Sequence, residues 1–148
     1  MSSRPVPVPD EHSAPYWEAA AQHVLTAARC SNCKLLCLPP DVVCPHCFTT
    51  TPDFTFVPVS GRGIVRAWTV VRQSFLPGFE ADIPFVLVDV ELDDQAELRL
   101  IGRLVDGVDC VDGDGVDAPL RLGARVGPAF EDVAEGISVP AFVLEAAA

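Results

Sequence analysis

The residues whose type and spacing specify chemistry most directly are two Cys-x-x-Cys pairs, Cys30 with Cys33 and Cys44 with Cys47. Two residues between thiolates let a tight knuckle aim both sulfurs at one ion, and the hairpin between the pairs folds one knuckle against the other. A closed shell of four thiolates suits Zn²⁺, a redox-silent ion, with iron in a rubredoxin-like site as the alternative. Protein sulfurs fill every position and leave none for water or substrate, so Zn²⁺ is expected in a structural role. Disulfides or unrelated buried cysteines are the competing reading, and the paired spacing disfavours it. Cys37 and Cys110 fit neither pair. Replacing Cys33 with Ser is expected to release metal and unfold the ribbon while leaving much of the remaining β signal.

Catalytic residues are poorly represented elsewhere. His12, His23 and His46 stand near no Ser or Cys in a recognisable arrangement, so no catalytic residue is assigned. The pairs Asp93/Asp94 and Glu131/Asp132 read as surface turns at strand ends. The acidic run at residues 109–117 lacks the ligand pattern of a calcium loop and reads as a solvated connection. Gly61-Arg62-Gly63 lacks the third glycine and following helix of a dinucleotide fingerprint and is better explained as a turn into a bent strand. Arg62, Arg66 and Trp68 are contact candidates: on an extended strand Arg66, Trp68 and Arg72 share one face, where an aromatic flanked by guanidinium groups can stack a base and pair with phosphates. An outer face with a half-buried Trp and snorkelling arginines is the favoured plain reading.

The elements that must position these residues follow from periodicity and punctuation. Residues 1–14, with Pro5, Pro7 and Pro9, read as an extended, poorly ordered arm able to dock on a partner. Residues 15–22 read as a short helix capped by Ser13, with Pro15 in its first turn. Tyr16 and Trp17 give that helix an apolar side; a core anchor is favoured over a partner contact for Trp17, and both remain open. Residues 24–29, 35–38 and 54–59 read as ribbon strands, the last demoted to an edge by Pro58. From residue 60 onward, runs at 63–75, 84–92, 97–105, 125–130 and 139–144 read as barrel strands. The expected fold is mainly β: an N-terminal helix, a zinc ribbon, then a five-stranded barrel of the OB type. The expected divisions are 1–14 (arm), 15–59 (helix and ribbon) and 60–148 (barrel).

Charge decides against one tempting function. Zinc ribbons and small barrels often bind nucleic acid, but that requires a basic surface to displace counterions from phosphates. Ten basic residues against 21 acidic ones, a net charge of −11, oppose it. Single-stranded nucleic-acid binding therefore stands only as the alternative. No apolar run approaches the ~20 residues of a membrane span, and no secretory signal is recognisable at the N-terminus, so a reducing cytoplasm and no membrane association are expected.

The order of parts resembles a known family. Tyr16-Trp17-Glu18, Cys30-x-x-Cys33, Pro39-Pro40, Cys44-Pro45-x-Cys47, Ser60-Gly61-Arg62-Gly63, Ile83-Pro84 and Pro140-Ala141-Phe142 match the zinc-ribbon and OB-fold proteins known as domain of unknown function 35, associated with acyl-CoA chemistry. Three positions depart: Lys34 and Phe48 stand where a Gly commonly follows each knuckle, and Asp41 where Arg often follows the Pro pair. The resemblance implies an accessory subunit of a thiolase-fold enzyme (a thiolase, an acyltransferase or a retro-aldolase shortening steroid side chains). The partner would carry the chemistry and share the acyl-CoA channel. An enzyme acting alone is the remaining alternative.

Overall fold

The computed structural model describes residues 4–111 and 118–146; part of the acidic run, residues 112–117, lies outside the described residues. Helix α1 (Ala14–Ala20) has a proline in its first turn, as the sequence predicts, but Ser13 does not cap it with its side chain. Asp10 does that work one turn earlier. Its Oδ1 accepts the backbone N–H groups of His12 (3.0 Å) and Ser13 (2.7 Å), and the Ser13 hydroxyl donates to the same oxygen. The turn over residues 11–13 runs directly into the helix, which moves the capping position back to Asp10. The helix ends at Ala20, two residues before the end of the predicted run, and the chain turns away at His23, whose φ of 58° puts it in the left-handed region.

Strands β1 (Thr26–Arg29), β2 (Leu36–Cys37) and β3 (Thr55–Pro58) form an antiparallel sheet in the order β2-β1-β3. β3 is an edge, which suits a strand that ends on a proline with no N–H to donate. Strands β4 (Gly63–Val71), β5 (Phe85–Leu92), β6 (Arg99–Leu104), β7 (Arg125–Ala134) and β8 (Ile137–Leu144) close into a barrel ordered β4-β5-β6-β8-β7. The β6–β8 pairing is parallel and the other pairings are antiparallel. Mainly β, with a short helix, a ribbon and a five-stranded OB barrel, is the architecture expected from the sequence.

Alternation builds the barrel interior. On β5 the residues Val86, Val88, Val90 and Leu92 are buried, while Phe85, Leu87, Asp89 and Glu91 face outward. Gly63 starts β4 because only a hydrogen fits there: a Cβ would stand 2.1 Å from the Glu91 carbonyl oxygen. Gly61, at φ +70°, lets the chain turn against Pro128. Both glycines thus serve the turn into the barrel. Glu131 and Asp132 lie within β7 rather than in a turn, because that strand runs to Ala134 before its hairpin with β8.

The arm is partly tied to the chain's own barrel. Arg4 sits 4.6 Å over the Phe79 ring and pairs with Asp82 (3.8 Å) and Glu131 (3.6 Å), carboxylates it shares with Arg103. Ribbon and barrel share one core: Leu25, Ala27 and Leu36 belong to the same buried cluster as Val65, Val88, Leu104 and Phe142. Among the described residues no helix is long and apolar enough to cross a membrane.

Candidate functional site

The two knuckles are near copies of each other. Lys34 N–H bonds to Cys30 O (3.0 Å) and Phe48 N–H to Cys44 O (2.9 Å), which turns each Cys-x-x-Cys loop back on itself. Both turns finish in the left-handed region, at φ 67° for Lys34 and 60° for Phe48, so the two residues that replace the usual glycines occupy glycine-like backbone. The four sulfurs of Cys30, Cys33, Cys44 and Cys47 lie within 4.8 Å of one another. Cys30 to Cys47 is 3.9 Å and Cys33 to Cys44 is 3.7 Å. These spacings are far from a disulfide bond of about 2.05 Å. They match the edges, about 3.8 Å, of a tetrahedron with zinc–sulfur bonds of about 2.3 Å.

The donor set therefore fits structural zinc, which these four residues would hold as a cross-link without an open position. In the absence of a cation the thiols of Cys33 and Cys47 shift in opposite directions. The Asn32 amide, 3.3 Å away, draws the Cys47 thiol down to about 6. Although a backbone N–H from Leu35 favours its thiolate, Cys33 is pushed up to about 12 by desolvation and the neighbouring sulfurs. Only a cation allows all four to ionise together. Cys37 and Cys110 are buried and do not belong to the tetrad, their thiols being directed to the carbonyls of Ala28 (3.5 Å) and Gly107 (2.8 Å).

The ribbon is anchored through Leu36. Gln95, in the β5–β6 turn, accepts the Leu36 N–H through Oε1 and donates to the Leu36 carbonyl through Nε2, both at 2.8 Å. His46, between two ligands, has Nε2 2.9 Å from that same carbonyl. A carbonyl only accepts, so this nitrogen carries the proton and His46 acts as a brace.

A groove of about 650 Å³ lies between helix, ribbon and barrel. Tyr16 and Trp17 of α1 form one wall, Leu38, Pro39 and Pro40 of the ribbon a second, and Leu100 and Ile101 of β6 the floor. Its charged lining residues are Asp89 and Arg99. They are tied to each other in a two-pronged ion pair, with Arg99 Nε 3.0 Å from Asp89 Oδ1 and its terminal nitrogen on Oδ2. Ile101 is 66% exposed although it is central to the sheet. A smaller depression of about 320 Å³, lined by Ala67, Trp68 and Leu87, adjoins the groove by sharing Asp89 and Ile101.

The predicted contact residues divide accordingly. Tyr16 and Trp17 line the groove and Trp68 the adjoining depression. The common face expected for Arg66 and Trp68 is broken by a β-bulge that leaves Arg66 without a register partner. Trp68 stands opposite the inward Val88, whereas Arg66 reaches the outward Glu91 at 3.6 Å. Arg62 is remote from both and pairs with Glu145 at 2.8 Å.

One grouping escaped the sequence reading. His23 Nε2 is 2.8 Å and Ser138 Oγ 2.6 Å from the same oxygen of Asp132. The carboxylate separates hydroxyl from imidazole, so the His cannot take the Ser proton, and nucleophile activation is not served. The grouping ties the turn after α1 to the β7–β8 hairpin. Asp89, Arg99 and Ile101 were also missed; the one local signal was an Ile at an outward register position.

Comparison with known proteins places these features together. The family described as "ChsH2, rubredoxin-like zinc ribbon domain" matches residues 17–53, and "ChsH2, C-terminal OB-fold domain" matches residues 56–131. A chain of the solved structure described as "Ltp2-ChsH2(DUF35) aldolase" is 30% identical and superposes with a TM-score of 0.71, covering 93% of this chain and 98% of that one. A DUF35 protein of unknown function from Sulfolobus solfataricus shares the fold, with a TM-score of 0.55 at 12% identity, covering 91% of this chain and 86% of that one. A "Probable enoyl-CoA hydratase alpha subunit" from Thermomonospora curvata is 35% identical over 108 residues, which are 72% of this chain and 33% of that protein. A "DUF35 domain-containing scaffold protein" from Methanocaldococcus jannaschii is 33% identical over 85 residues, 57% of each. The chain thus spans about a third and somewhat over half of these two relatives.

Proposed function

Because the chain belongs to the ChsH2 (DUF35) family of zinc-ribbon and OB-fold proteins, we propose that it is a non-catalytic accessory subunit of a thiolase-fold acyl-CoA enzyme. The observation that carries this reading is the near full-length likeness to a chain of an aldolase assembly. In this role the partner performs aldol cleavage, thiolysis or acyl transfer, the steroid side-chain retro-aldolase being the favoured case. This chain then helps to form the acyl-CoA channel.

Several features support the reading. The metal centre has the closed donor set of a staple, so chemistry is left to another molecule. The arm, the helix with its ribbon, and the barrel (1–14, 15–59 and 60–148) would act as one docking unit with the partner. A net charge of −11 suits a basic partner surface and opposes nucleic acid. A groove at the edge of α1 between Asp10, Glu11, Asp41 and Asp53 concentrates that charge. The cytoplasm is the compartment in which a thiolate zinc site and a CoA-dependent partner would coexist.

The test is affinity capture of the tagged chain from its own cells, with mass spectrometry of whatever remains bound. Near one-to-one recovery of a thiolase-fold protein is the expected result. Recovery of nucleic acid, bound with a steep salt dependence, would replace this reading with the OB-type nucleic-acid alternative.

A further inference from the structure

We infer that the groove where the end of the arm meets the ribbon docks an extended basic segment of the partner protein. That a partner exists rests on the accessory-subunit reading; the place and the chemistry rest on the lining. This groove, of about 620 Å³, shares Pro40 with the larger groove and is otherwise lined by different residues. Pro15, Val42, Phe54 and Phe56 give it apolar walls, and Asp10, Glu11, Asp41 and Asp53 add exposed carboxylates. Val42 is 72% exposed, a hydrophobic side chain left uncovered.

Backbone geometry calls for an extended occupant. β3 is the edge of its sheet, and Val59 N–H bonds to Leu25 O at 2.9 Å. By antiparallel alternation Val57 also bonds toward β1, so the N–H and C=O of Phe56 point away from it. Among the described residues no backbone group pairs with them, and an added strand is what such an edge accepts.

Charge calls for a basic occupant. Arg4, Arg62, Arg66, Arg99, Arg103 and Arg125 are committed to carboxylates elsewhere. Among the described residues the groove has no Lys or Arg in its lining; its His12 stands 3.4 Å from Glu11. Hydrogen bonds from Ser13 hold the Asp10 carboxyl below its ordinary value, so it stays charged. A second copy would bring the same net charge of −11 against these groups, so the occupant is a different chain. Lys or Arg side chains fit both parts of the lining, with their stems on Phe54 and Phe56 and their charged heads on the carboxylates.

The experiment measures affinity between the zinc-loaded chain and the partner it captures, at low salt and at about 0.3 M salt, where the Debye length falls below about 8 Å. Asp41→Asn with Asp53→Asn keeps the fold: asparagine retains the oxygen that accepts the Val42 N–H, and it tolerates the φ of 39° at position 53. This double variant should bind at least tenfold more weakly at low salt and lose most of the salt dependence. Asp109→Asn with Glu135→Gln makes the same charge change outside the groove and should bind within about twofold of the wild type. A photo-cross-linking residue at Val42 should join a partner segment rich in Lys or Arg, and the Phe56 amide should gain exchange protection in the complex.

Equal losses in the two double variants would overturn the inference, as would full binding by Asp41→Asn with Asp53→Asn. A Val42 cross-link to another copy or to a segment without basic residues, or an unprotected Phe56 amide, would do the same. A chain that captures a thiolase-fold partner yet fails these tests loses only this inference; a chain that captures no partner loses the accessory-subunit reading itself.

Discussion

Removal of the metal should destabilise the barrel as well as the ribbon. The sequence suggests two separable parts, so that Cys33→Ser would unfold one and spare the other. The structure joins them instead: Leu25 and Leu36, 4% and 7% exposed, lie in the barrel's own core cluster, and Gln95 holds both backbone groups of Leu36. Exposing two leucines costs about 3–6 kcal/mol, and losing two hydrogen bonds adds about 2. The total of about 5–8 kcal/mol is an upper figure, since an unfolded chain already buries some apolar surface, yet it rivals the whole stability of a domain, about 5–15 kcal/mol. At roughly 2–4 °C per kcal/mol for a chain of this size, the midpoint should fall by about 10–30 °C. The assay is thermal unfolding followed by far-UV circular dichroism, combined with amide exchange at Val86, Val88 and Val90, for the wild type, the chelated protein and Cys33→Ser. Unshifted unfolding with full protection of those amides in a metal-free sample would refute the shared-core argument.

Three further outcomes follow from local geometry. Gly63→Ala drives a Cβ to 2.1 Å from a backbone oxygen that no rotamer change can move, so it should cost about 3 kcal/mol or more, read as the urea midpoint. Gly102→Ala meets the ring of Phe142 at 3.0 Å and the Ala141 Cα at an ordinary 3.5 Å, and should cost less; equal losses would count against the steric account. Phe48→Gly removes left-handed strain from a side chain 74% exposed and should raise stability by roughly 1 kcal/mol after the entropy of glycine is offset, seen as a higher melting point; a loss of stability would show that Phe48 packs in the folded chain.

The acid limb of the stability curve supplies the last of these tests. Hydrogen bonds from Arg125 hold the Asp93 carboxyl below its ordinary value of 3.8, and those from Arg62 hold Glu145 below 4.5. With folded values depressed, the unfolded chain binds more protons at low pH. The contribution is therefore complete above the ordinary values and is lost as pH falls through the folded ones. Arg62→Gln with Arg125→Gln should flatten the fall of the melting point below about pH 4.5; an unchanged slope would refute the linkage.

Legibility in the sequence tracked the range of each interaction. The cysteine tetrad was readable because each knuckle is local and its spacing admits few alternatives, and the barrel strands were readable from alternation such as that of β5. Phe48 and Lys34 were visible as departures from glycine, but not that the backbone would keep a glycine-like conformation there. The common face assigned to Arg66 and Trp68 assumed an unbroken period of two, and a single bulge interrupts it. Ser13 looked like the cap because its position relative to the helix fits, whereas the preceding turn hands that role to Asp10. The contacts that join the parts, Gln95 to Leu36 and His23 to Asp132, are separated by 59 and 109 residues and leave no local trace. The groove arises where three such parts meet, so the lining from Asp89, Arg99 and Ile101 became visible only with the fold.

The most direct test of the accessory-subunit account is acyl-CoA turnover measured on three samples: the isolated zinc-loaded chain, its captured partner alone, and the two recombined. The account predicts no turnover by the isolated chain, and activity in the recombined pair well above that of the partner alone. Turnover by the isolated chain, or a partner fully active without it, would contradict the claim.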